Sequence, residues 1–286
     1  MRFQWFKNYI YPFLFVTIVM SMVGCDSGNY SAEKRFWRAS KEFNRLMQNL
    51  EQATPQDHQK VIDLFREITI RYPSWPNSAR AQFHIAQLYA IQNNLPQART
   101  ELEVILKEYS TNVDLCATAL FTIGAIYEKE DKWDKAIETF DKLTSDYTNT
   151  YSALQVPLYI AQHYRGKGQA AQADAAYTAA LEKYQKIIKD NSKTFGAVVA
   201  EDFAIACYVN QKKWTEAIDY LDSLARDYPD TPLAPKSLFT IGIIYQGQLK
   251  EPQKALEYYR KLIEKYPKNF LVKPAEKQIE LINKPK

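Results

Sequence analysis

Residues 119–148 carry the pattern that most restricts how this chain can fold, because they encode two amphipathic helices joined by a short polar turn. In the first helix, apolar or small residues three and four positions apart share one face: Leu120, Ile123, Gly124 and Tyr127. The second helix shows the same spacing at Ala136, Ile137, Phe140 and Leu143. One helical hairpin cannot bury such faces alone, so the pattern predicts further hairpins stacked beside it.

Tyrosines at the ends of the two predicted helices, A and B, recur at a nearly constant spacing. The two tyrosines of a pair are 20 residues apart in four copies and 21 apart in the last: Tyr89 and Tyr109, Tyr127 and Tyr147, Tyr164 and Tyr184, Tyr208 and Tyr228, Tyr245 and Tyr266. Helix B also has a recurring small residue: Ala98, Ala136, Ala173, Ala217 and Ala255. Twelve positions earlier stand Ala86, Gly124, Ala161 and Ile205, and in the last copy Gly242 is thirteen earlier. This periodicity predicts an all-α array of hairpins with a shared interior.

These landmarks resemble the tetratricopeptide repeat, a helical hairpin with a small residue at position 8, tyrosine at 11, alanine at 20, an aromatic residue at 24 and proline at 32. Position 24 holds Leu102, Phe140, Tyr177, Leu221 and Tyr259, and proline closes three helices at Pro73, Pro229 and Pro267. The resemblance covers roughly residues 33–282 and implies a right-handed α-α superhelix of about six hairpins. Copies lie 37, 38 or 44 residues apart rather than a strict 34, so we expect longer helices or looser turns, most visibly at 181–200.

The predicted organisation has five parts. Residues 1–24 are a lipoprotein signal peptide, 25–31 a lipidated tether, and 32–78 a divergent N-terminal hairpin whose first helix spans 32–52. Residues 79–267 contain five repeats, and 268–286 form a C-terminal capping helix. Prolines in the corners at 72–76 and 228–232 cannot continue a helix and therefore mark hairpin ends.

The first 25 residues differ from the rest of the chain. Arg2 and Lys7 precede an apolar run of 15 residues, which as a helix would be about 22 Å long and short of a roughly 30 Å hydrocarbon core. This pattern indicates a secretory signal rather than a spanning anchor. Its end, Met22-Val23-Gly24-Cys25, resembles the bacterial lipobox, which implies cleavage before Cys25, a lipid on its sulfur and an acylated amine. The alternative is an ordinary signal or an uncleaved anchor with an incidental cysteine, and the choice of membrane stays open.

Composition argues against several kinds of chemistry. The net charge of +4 is small and the charges are interleaved, so no basic stripe indicates nucleic-acid binding. His58, His84 and His163 lack metal-ligand spacing, and Cys116 and Cys207 should be free buried thiols too far apart for a disulfide. The run 166–168 lacks the spacing of a phosphate loop and is interpreted as a turn. Since no catalytic motif appears, we expect no enzyme activity, no cofactor and no metal.

The remaining candidate site is the concave groove. In the resembled family helix A lines this groove through positions 2, 5, 9 and 12, and the corresponding partner-binding candidates are Phe83, Gln87, Phe121, Gln162 and Phe239. The lysines and asparagines with which some members clamp a carboxylate are absent, so an extended or helical protein segment fits the groove better. The alternative is that these phenylalanines pack on neighbouring helices and touch no partner.

These features together predict a lipid-anchored scaffold facing the bacterial periplasm, which binds other envelope proteins in its groove. The Tyr-Pro-x-x-Pro corners are similar to those of tetratricopeptide lipoproteins such as the outer-membrane barrel-assembly lipoprotein and the Tol-Pal coordinator. That similarity implies a role in outer-membrane protein assembly or in coordinating wall growth and division. The alternatives are a pilotin-like lipoprotein for a secretin or pilus, an accessory subunit of an envelope enzyme, and an enzyme with a site hidden in the groove.

Overall fold

The computed structural model of the protein describes residues 29–284, and within them every regular element is helical. The prediction of an all-α repeat fold is confirmed. A short 3-10 turn, Leu50–Gln52, and a π turn, Tyr245–Leu249, accompany the α-helices. In chain order these helices are α1 (29–48), α2 (Pro55–Arg71), α3 (Ser78–Ile91), α4 (Leu95–Glu108), α5 (Val113–Lys129), α6 (Trp133–Asp146), α7 (Tyr151–Gly166), α8 (Ala170–Asn191), α9 (Phe195–Gln211), α10 (Trp214–Asp227), α11 (Leu233–Ile244), α12 (Pro252–Lys265) and α13 (Val272–Asn283).

The chain forms two compact units that meet in sequence at Leu143 and Thr144, inside α6. In the first unit, α2 packs on α3, α3 on α4, α4 on α5, and α3 also touches α5. In the second unit each helix from α7 to α13 packs on the next, and α9 contacts both α7 and α11. Each unit therefore stacks hairpins so that the A helix of one repeat touches the A helix of the next.

The N-terminal helix differs slightly from its prediction. Helix α1 covers residues 29–48 and therefore includes 29–31, which the sequence analysis assigned to the tether, and it ends four residues before 52. The rings of Phe36 and Phe43 pack edge-on against Phe65 of α2, with ring centroids 5.9 and 6.1 Å apart. Helix α2 begins at a capping box in which Thr54 and Asp57 satisfy each other's backbone N–H groups.

Small residues allow the two helices of a repeat to approach closely. Gly124 of α5 faces the fully buried ring of Phe140 on α6, and Gly242 of α11 faces the buried ring of Tyr259 on α12. A methyl group at either glycine would overlap the ring opposite it. Positions 8 and 24 are thus coupled by packing in both units.

We expect Gly124→Ala to lower the free energy of unfolding by about 1–3 kcal/mol, because overpacking against the buried ring of Phe140 outweighs alanine's helix preference of roughly 1 kcal/mol. The double variant Gly124→Ala with Phe140→Leu recreates the alanine and leucine that the first repeat has at these positions. The free energy of unfolding of this double variant should be about 1 kcal/mol higher than the sum of the two single-variant changes predicts. Denaturant unfolding of the four proteins measures this coupling, and strictly additive effects would contradict it.

The irregular spacing of the last repeat has a structural cause. The extra residue between Tyr245 and Tyr266 is taken up by the π turn, in which the Lys250 N–H donates to the carbonyl of Tyr245. The Glu251 N–H donates to the same carbonyl at 2.8 Å. The hydroxyl of Tyr259 on α12 donates to Oε1 of Gln246 within this turn at 2.8 Å. The π turn therefore keeps Gly242 opposite Tyr259 despite the insertion.

The long third repeat follows the expectation for 181–200, but one predicted boundary is wrong. Helix α8 has 22 residues, against 14 in α4 and α6, and continues to Asn191. Tyr184, predicted to end helix B, therefore lies inside the helix. In contrast, Tyr72, Tyr109, Tyr228 and Tyr266 are the C-cap residues of their helices, as the periodicity predicted.

Tyr184 instead completes the hydrogen bonding of a proline-containing helix. Pro157 lies inside α7, where proline disturbs the backbone ladder. The buried hydroxyl of Tyr184 accepts from the Leu158 N–H at 3.1 Å and donates to the Leu154 carbonyl at 2.9 Å. These two backbone groups would pair with each other in a regular helix, so the hydroxyl is inserted into the ladder and satisfies both.

Candidate functional site

Three of the five predicted groove residues lie on two contacting helices of the first unit. Phe83 and Gln87 are half-buried on α3, and Phe121 is half-buried on α5. Helices α3 and α5 are successive A helices that touch each other. Oε1 of Gln87 lies 2.9 Å from Nδ1 of His84, one turn earlier on α3. The first unit thus offers a partly accessible surface of aromatic and amide groups.

The other two predicted residues lie in the second unit. Gln162 is exposed on α7, and Phe239 is half-buried on α11. Helix α9 contacts both of these helices and supplies the positions between them. One turn beyond Phe239, Ile243 leaves 40% of its surface exposed. This unit therefore presents an amide group on α7 and apolar groups on α11.

Two of the predicted phenylalanines also pack within their own repeats. The ring centroid of Phe121 lies 5.6 Å from that of Phe140, and the centroid of Phe239 lies 5.7 Å from that of Tyr259. In both repeats the residue at position 5 thus rests on the aromatic residue at position 24. These side chains help to hold the hairpin together and expose only part of their surface.

The same A helices carry a charged pair that was not predicted from the sequence. Nζ of Lys236 on α11 lies 2.7 Å from Oδ1 of Asp202 on α9, and it also donates to the Val198 carbonyl at 3.0 Å. Asp202 occupies position 5 of its repeat, where other copies have phenylalanine or leucine, and its side chain is 61% exposed. The signal was present in the sequence, because residues 201 and 202 are the only charged residues of the otherwise apolar α9.

Glu201 lies directly beneath this pair and is fully buried. Its Oε1 accepts from the hydroxyl of Ser237 at 2.8 Å. Its Oε2 lies 3.4 Å from Nζ of Lys236 but forms no hydrogen bond with the described residues. Burial raises the pKa of Glu201 to about 7, although Lys236 and Ser237 favour the charged form. Glu201 is therefore a buried titratable group that joins two A helices and is closed to a substrate.

The two cysteines are free and fully buried, as predicted. Sγ of Cys116 approaches the carbonyl of Tyr109 at 3.5 Å. Burial raises the pKa of the Cys207 thiol to about 12, which suppresses the reactive thiolate. Both thiols act as small apolar residues of the interior.

The histidines play packing roles where the structure defines their surroundings. The ring of His84 stacks on Phe65 at 4.9 Å and lies 4.7 Å from Phe43, and burial lowers its pKa. Nδ1 of the buried His58 lies 2.9 Å from the carbonyl of Thr54. Across residues 29–284, no group of three His, Cys, Asp or Glu residues is placed to hold a metal ion.

Three further predictions concern the run 166–168, the membrane and the N-terminal segment. Gly168 has a positive φ of 73° in the turn between α7 and α8, which agrees with the interpretation of 166–168 as a turn. None of the helices that the structure describes is both long and apolar enough to cross a membrane. The predicted signal peptide 1–24 and the lipidation residue Cys25 lie outside the described residues.

Each Tyr-Pro-x-x-Pro corner borders an open cleft of about 610 Å³. In the first unit the corner at 73–76 faces residues that follow α4, and in the second unit Pro229 and Asp230 face the end of α12. The hydroxyl of Tyr266 donates to the Pro229 carbonyl at 3.0 Å across the second cleft. The second corner is thus braced by the tyrosine that ends the following B helix.

Two family models match the chain. A tetratricopeptide repeat-like domain matches residues 4–199, and a tetratricopeptide repeat model matches residues 205–231 and 236–269. Together these matches span most of the described helices. No curated protein matches the chain at a significant level.

Two solved structures that match the chain are distant from it in sequence. A tetratricopeptide repeat protein from Parabacteroides merdae ATCC 43184 is 14% identical, with a TM-score of 0.37 over 89% of this chain and 99% of that one. YrrB, described as a TPR protein with an unusual peptide-binding site, is 18% identical, with a TM-score of 0.33 over 74% of this chain and 97% of its own.

Proposed function

Because the chain belongs to the tetratricopeptide repeat family, we propose that it is a scaffold whose A helices bind segments of partner proteins. The observation that carries this proposal is the accessible surface along contacting A helices in each unit. In the second unit this surface combines Gln162, Ile243 and the pair of Asp202 and Lys236. Amide, apolar and charged groups side by side suit a peptide segment better than a small apolar ligand.

The accessible residues support binding rather than catalysis. The carboxyl of Glu201, whose pKa is raised by burial, lies close to this surface, but it is fully buried beneath Lys236. A general acid or base must come within hydrogen-bonding distance of its substrate, which Glu201 cannot do in this arrangement. We therefore assign Glu201 a structural role.

The proposed site of action is the periplasmic face of a bacterial membrane, to which a lipid on Cys25 would hold the protein. The support is the basic start, the apolar run and the lipobox-like end of residues 1–25. A lipid anchor would restrict diffusion and raise the effective concentration of the scaffold near envelope proteins. Its partners would accordingly be envelope proteins engaged in assembly, secretion or wall growth.

The partner-binding role is tested by replacing Phe83, Phe121 and Phe239 together with serine. We expect at least a tenfold loss of the proteins recovered with the scaffold after crosslinking in intact cells. Since two of these rings also pack inside their repeats, thermal unfolding must be measured in parallel. Gln162→Arg probes the same surface without removing a packed ring, and Ile70→Arg, at a position 71% exposed on α2, is the matched control.

The outcomes of this test separate scaffold from enzyme. Loss of partners with Gln162→Arg but not with Ile70→Arg, with the fold intact, supports the scaffold. Unchanged recovery with both folded groove variants argues against it. A turnover activity that survives purification to homogeneity would favour an enzyme instead.

Cys25→Ala tests the anchor separately. We expect this variant either to leave the membrane fraction for the soluble periplasmic fraction or to accumulate as an uncleaved precursor, because alanine cannot form the thioether. Cell fractionation and the mass of the mature N terminus are the measurements. Cys207→Ala is the control, because that thiol is buried in α9. Processing and fractionation of Cys25→Ala like the unaltered protein would refute the lipid anchor.

A further inference from the structure

Helix α1 has two faces of opposite character. One face is buried in the first unit through Ala32, Ala39 and Leu46. Arg35 at its border forms an ion pair with Glu67 of α2 at 2.7 Å. The orientation of α1 on the unit is therefore fixed by both apolar and charged contacts, and its opposite face points outward as a defined surface.

The outward face, here called the α1 face, combines exposed aromatic and basic residues. Tyr30 and Trp37 expose 68% and 65% of their surface although both are large and partly apolar. Nζ of Lys41 lies 5.4 Å from the centroid of the Trp37 ring. The exposed residues of this face are Tyr30, Glu33, Lys34, Trp37, Arg38, Lys41, Asn44, Arg45 and Gln48.

The charge of the α1 face is not neutralised within the described residues. It holds four cations, Lys34, Arg38, Lys41 and Arg45, and one anion, Glu33. None of the four cations forms an ion pair with another residue of the 29–284 range. The face therefore carries about +3 over a helix segment of roughly 22 Å.

This combination matches the chemistry of an anionic bilayer surface. Lysine and arginine are attracted by anionic headgroups, and tryptophan and tyrosine favour the interface between headgroups and acyl chains. A protein groove would instead be expected to meet a face depleted in lysine. Helix α1 begins four residue steps after Cys25, so an extended tether reaches at most about 14 Å.

We propose that the α1 face docks on an anionic phospholipid surface and thereby sets the orientation of the first unit relative to the membrane. The proposal rests on the lipid anchor proposed above, which would hold this face within reach of the headgroups. Trp37 and Tyr30 enter the interfacial layer, and the four cations lie against the headgroups. The rest of the first unit, including the A-helix surface, then has a defined direction with respect to the bilayer.

The test uses the protein purified from native membranes and reconstituted into vesicles. An Asn44→Cys variant is labelled with a fluorophore, because Asn44 is exposed on the α1 face while Cys116 and Cys207 are buried and protected from labelling. Quenching by nitroxide-bearing lipids reports contact with the bilayer. A label at Glu103→Cys, exposed on α4, is the matched control.

We expect quenching at position 44 in vesicles containing phosphatidylglycerol, and much less in pure phosphatidylcholine or at high salt. Replacing all four cations of the α1 face with glutamine should weaken docking more than about 100-fold, since each contributes roughly fivefold. Replacing four exposed lysines elsewhere with glutamine, Lys107, Lys129, Lys142 and Lys189, should leave quenching unchanged.

Two results would overturn the proposal. One is equal quenching of the labels at positions 44 and 103 while the protein remains on the vesicles. That result would refute docking of the α1 face but leave the proposed lipid anchor unaffected. The other is quenching that persists after the four α1 cations are removed, which would assign the contact to the lipidated tether and not to the charge of the α1 face. If a thiol reagent modifies Cys25 of the purified protein, the anchor fails, and quenching by added vesicles still decides whether the α1 face docks.

Discussion

Tyr184→Phe is expected to lower the free energy of unfolding by about 2–4 kcal/mol, although it removes a single oxygen atom. The lost hydroxyl pairs with the N–H of Leu158 and the carbonyl of Leu154, both buried in α7. An unsatisfied buried backbone group costs roughly 1–3 kcal/mol, and this variant leaves two. Pro157 keeps the helix ladder open at this point, so the two groups cannot simply pair with each other.

Tyr177→Phe is the matched control for this prediction. Tyr177 lies two turns earlier on α8 and is equally buried, but its hydroxyl finds no hydrogen-bonding partner within the described chain. Its removal should be neutral or slightly stabilising. Denaturant unfolding of both variants gives the comparison. Equal destabilisation by the two substitutions would show that the hydroxyl of Tyr184 does not support α7.

Glu201 is expected to make the protein less stable as the pH rises from about 4.5 to 7. The pKa of its carboxyl is about 7 in the folded protein and near its ordinary value in the unfolded chain, so the folded state holds the proton more tightly. The stabilisation that Glu201 contributes is fully present below its pKa in the unfolded chain. It is lost as the pH rises to its pKa in the folded protein. The difference corresponds to about 3 kcal/mol.

Glu201→Gln isolates this effect because it cannot titrate. The stability of this variant relative to the unaltered protein should increase by about 3 kcal/mol between pH 4 and pH 8. Glu103→Gln, at an exposed position on α4, is the control and should show no such change. Urea unfolding across this pH range provides the measurement. A constant difference between Glu201→Gln and the unaltered protein would show that Lys236 keeps the buried carboxylate charged.

The repeat pattern was sufficient to predict the helices because the recurring residues are those that make the same packing contacts in each copy. Tyr109 and Tyr228 end their helices where the spacing predicted, and Gly124 lies against Phe140 as its small size suggested. Spacing alone could not reveal local exceptions. Tyr184 fits the period, but its hydroxyl forms hydrogen bonds with backbone groups of the proline-containing helix α7. The extra residue near Tyr245 is accommodated in a π turn and not in a longer loop.

The candidate site was only partly predictable, since positions in a repeat specify a face and not the contacts made there. Phe121 and Phe239 were assigned to the groove by position, yet each also packs on the aromatic residue at position 24. The pair of Asp202 and Lys236 joins helices of two different repeats, which no pattern within one repeat can show. Two adjacent acids in an apolar helix were the available signal.

Photo-crosslinking from the A helices in living cells tests the central claim most directly. A photoreactive residue at Gln162 or Gln87 should form discrete crosslinks to an envelope protein, whereas the same residue at Glu103 should form none. In proteins that remain folded, crosslinks at Gln162 should also disappear when Asp202 and Lys236 are replaced, and crosslinks at Gln87 when Phe83 and Phe121 are replaced. Crosslinking confined to Glu103, or absent from both glutamines under every growth condition, would contradict a scaffold that binds partners through its A helices.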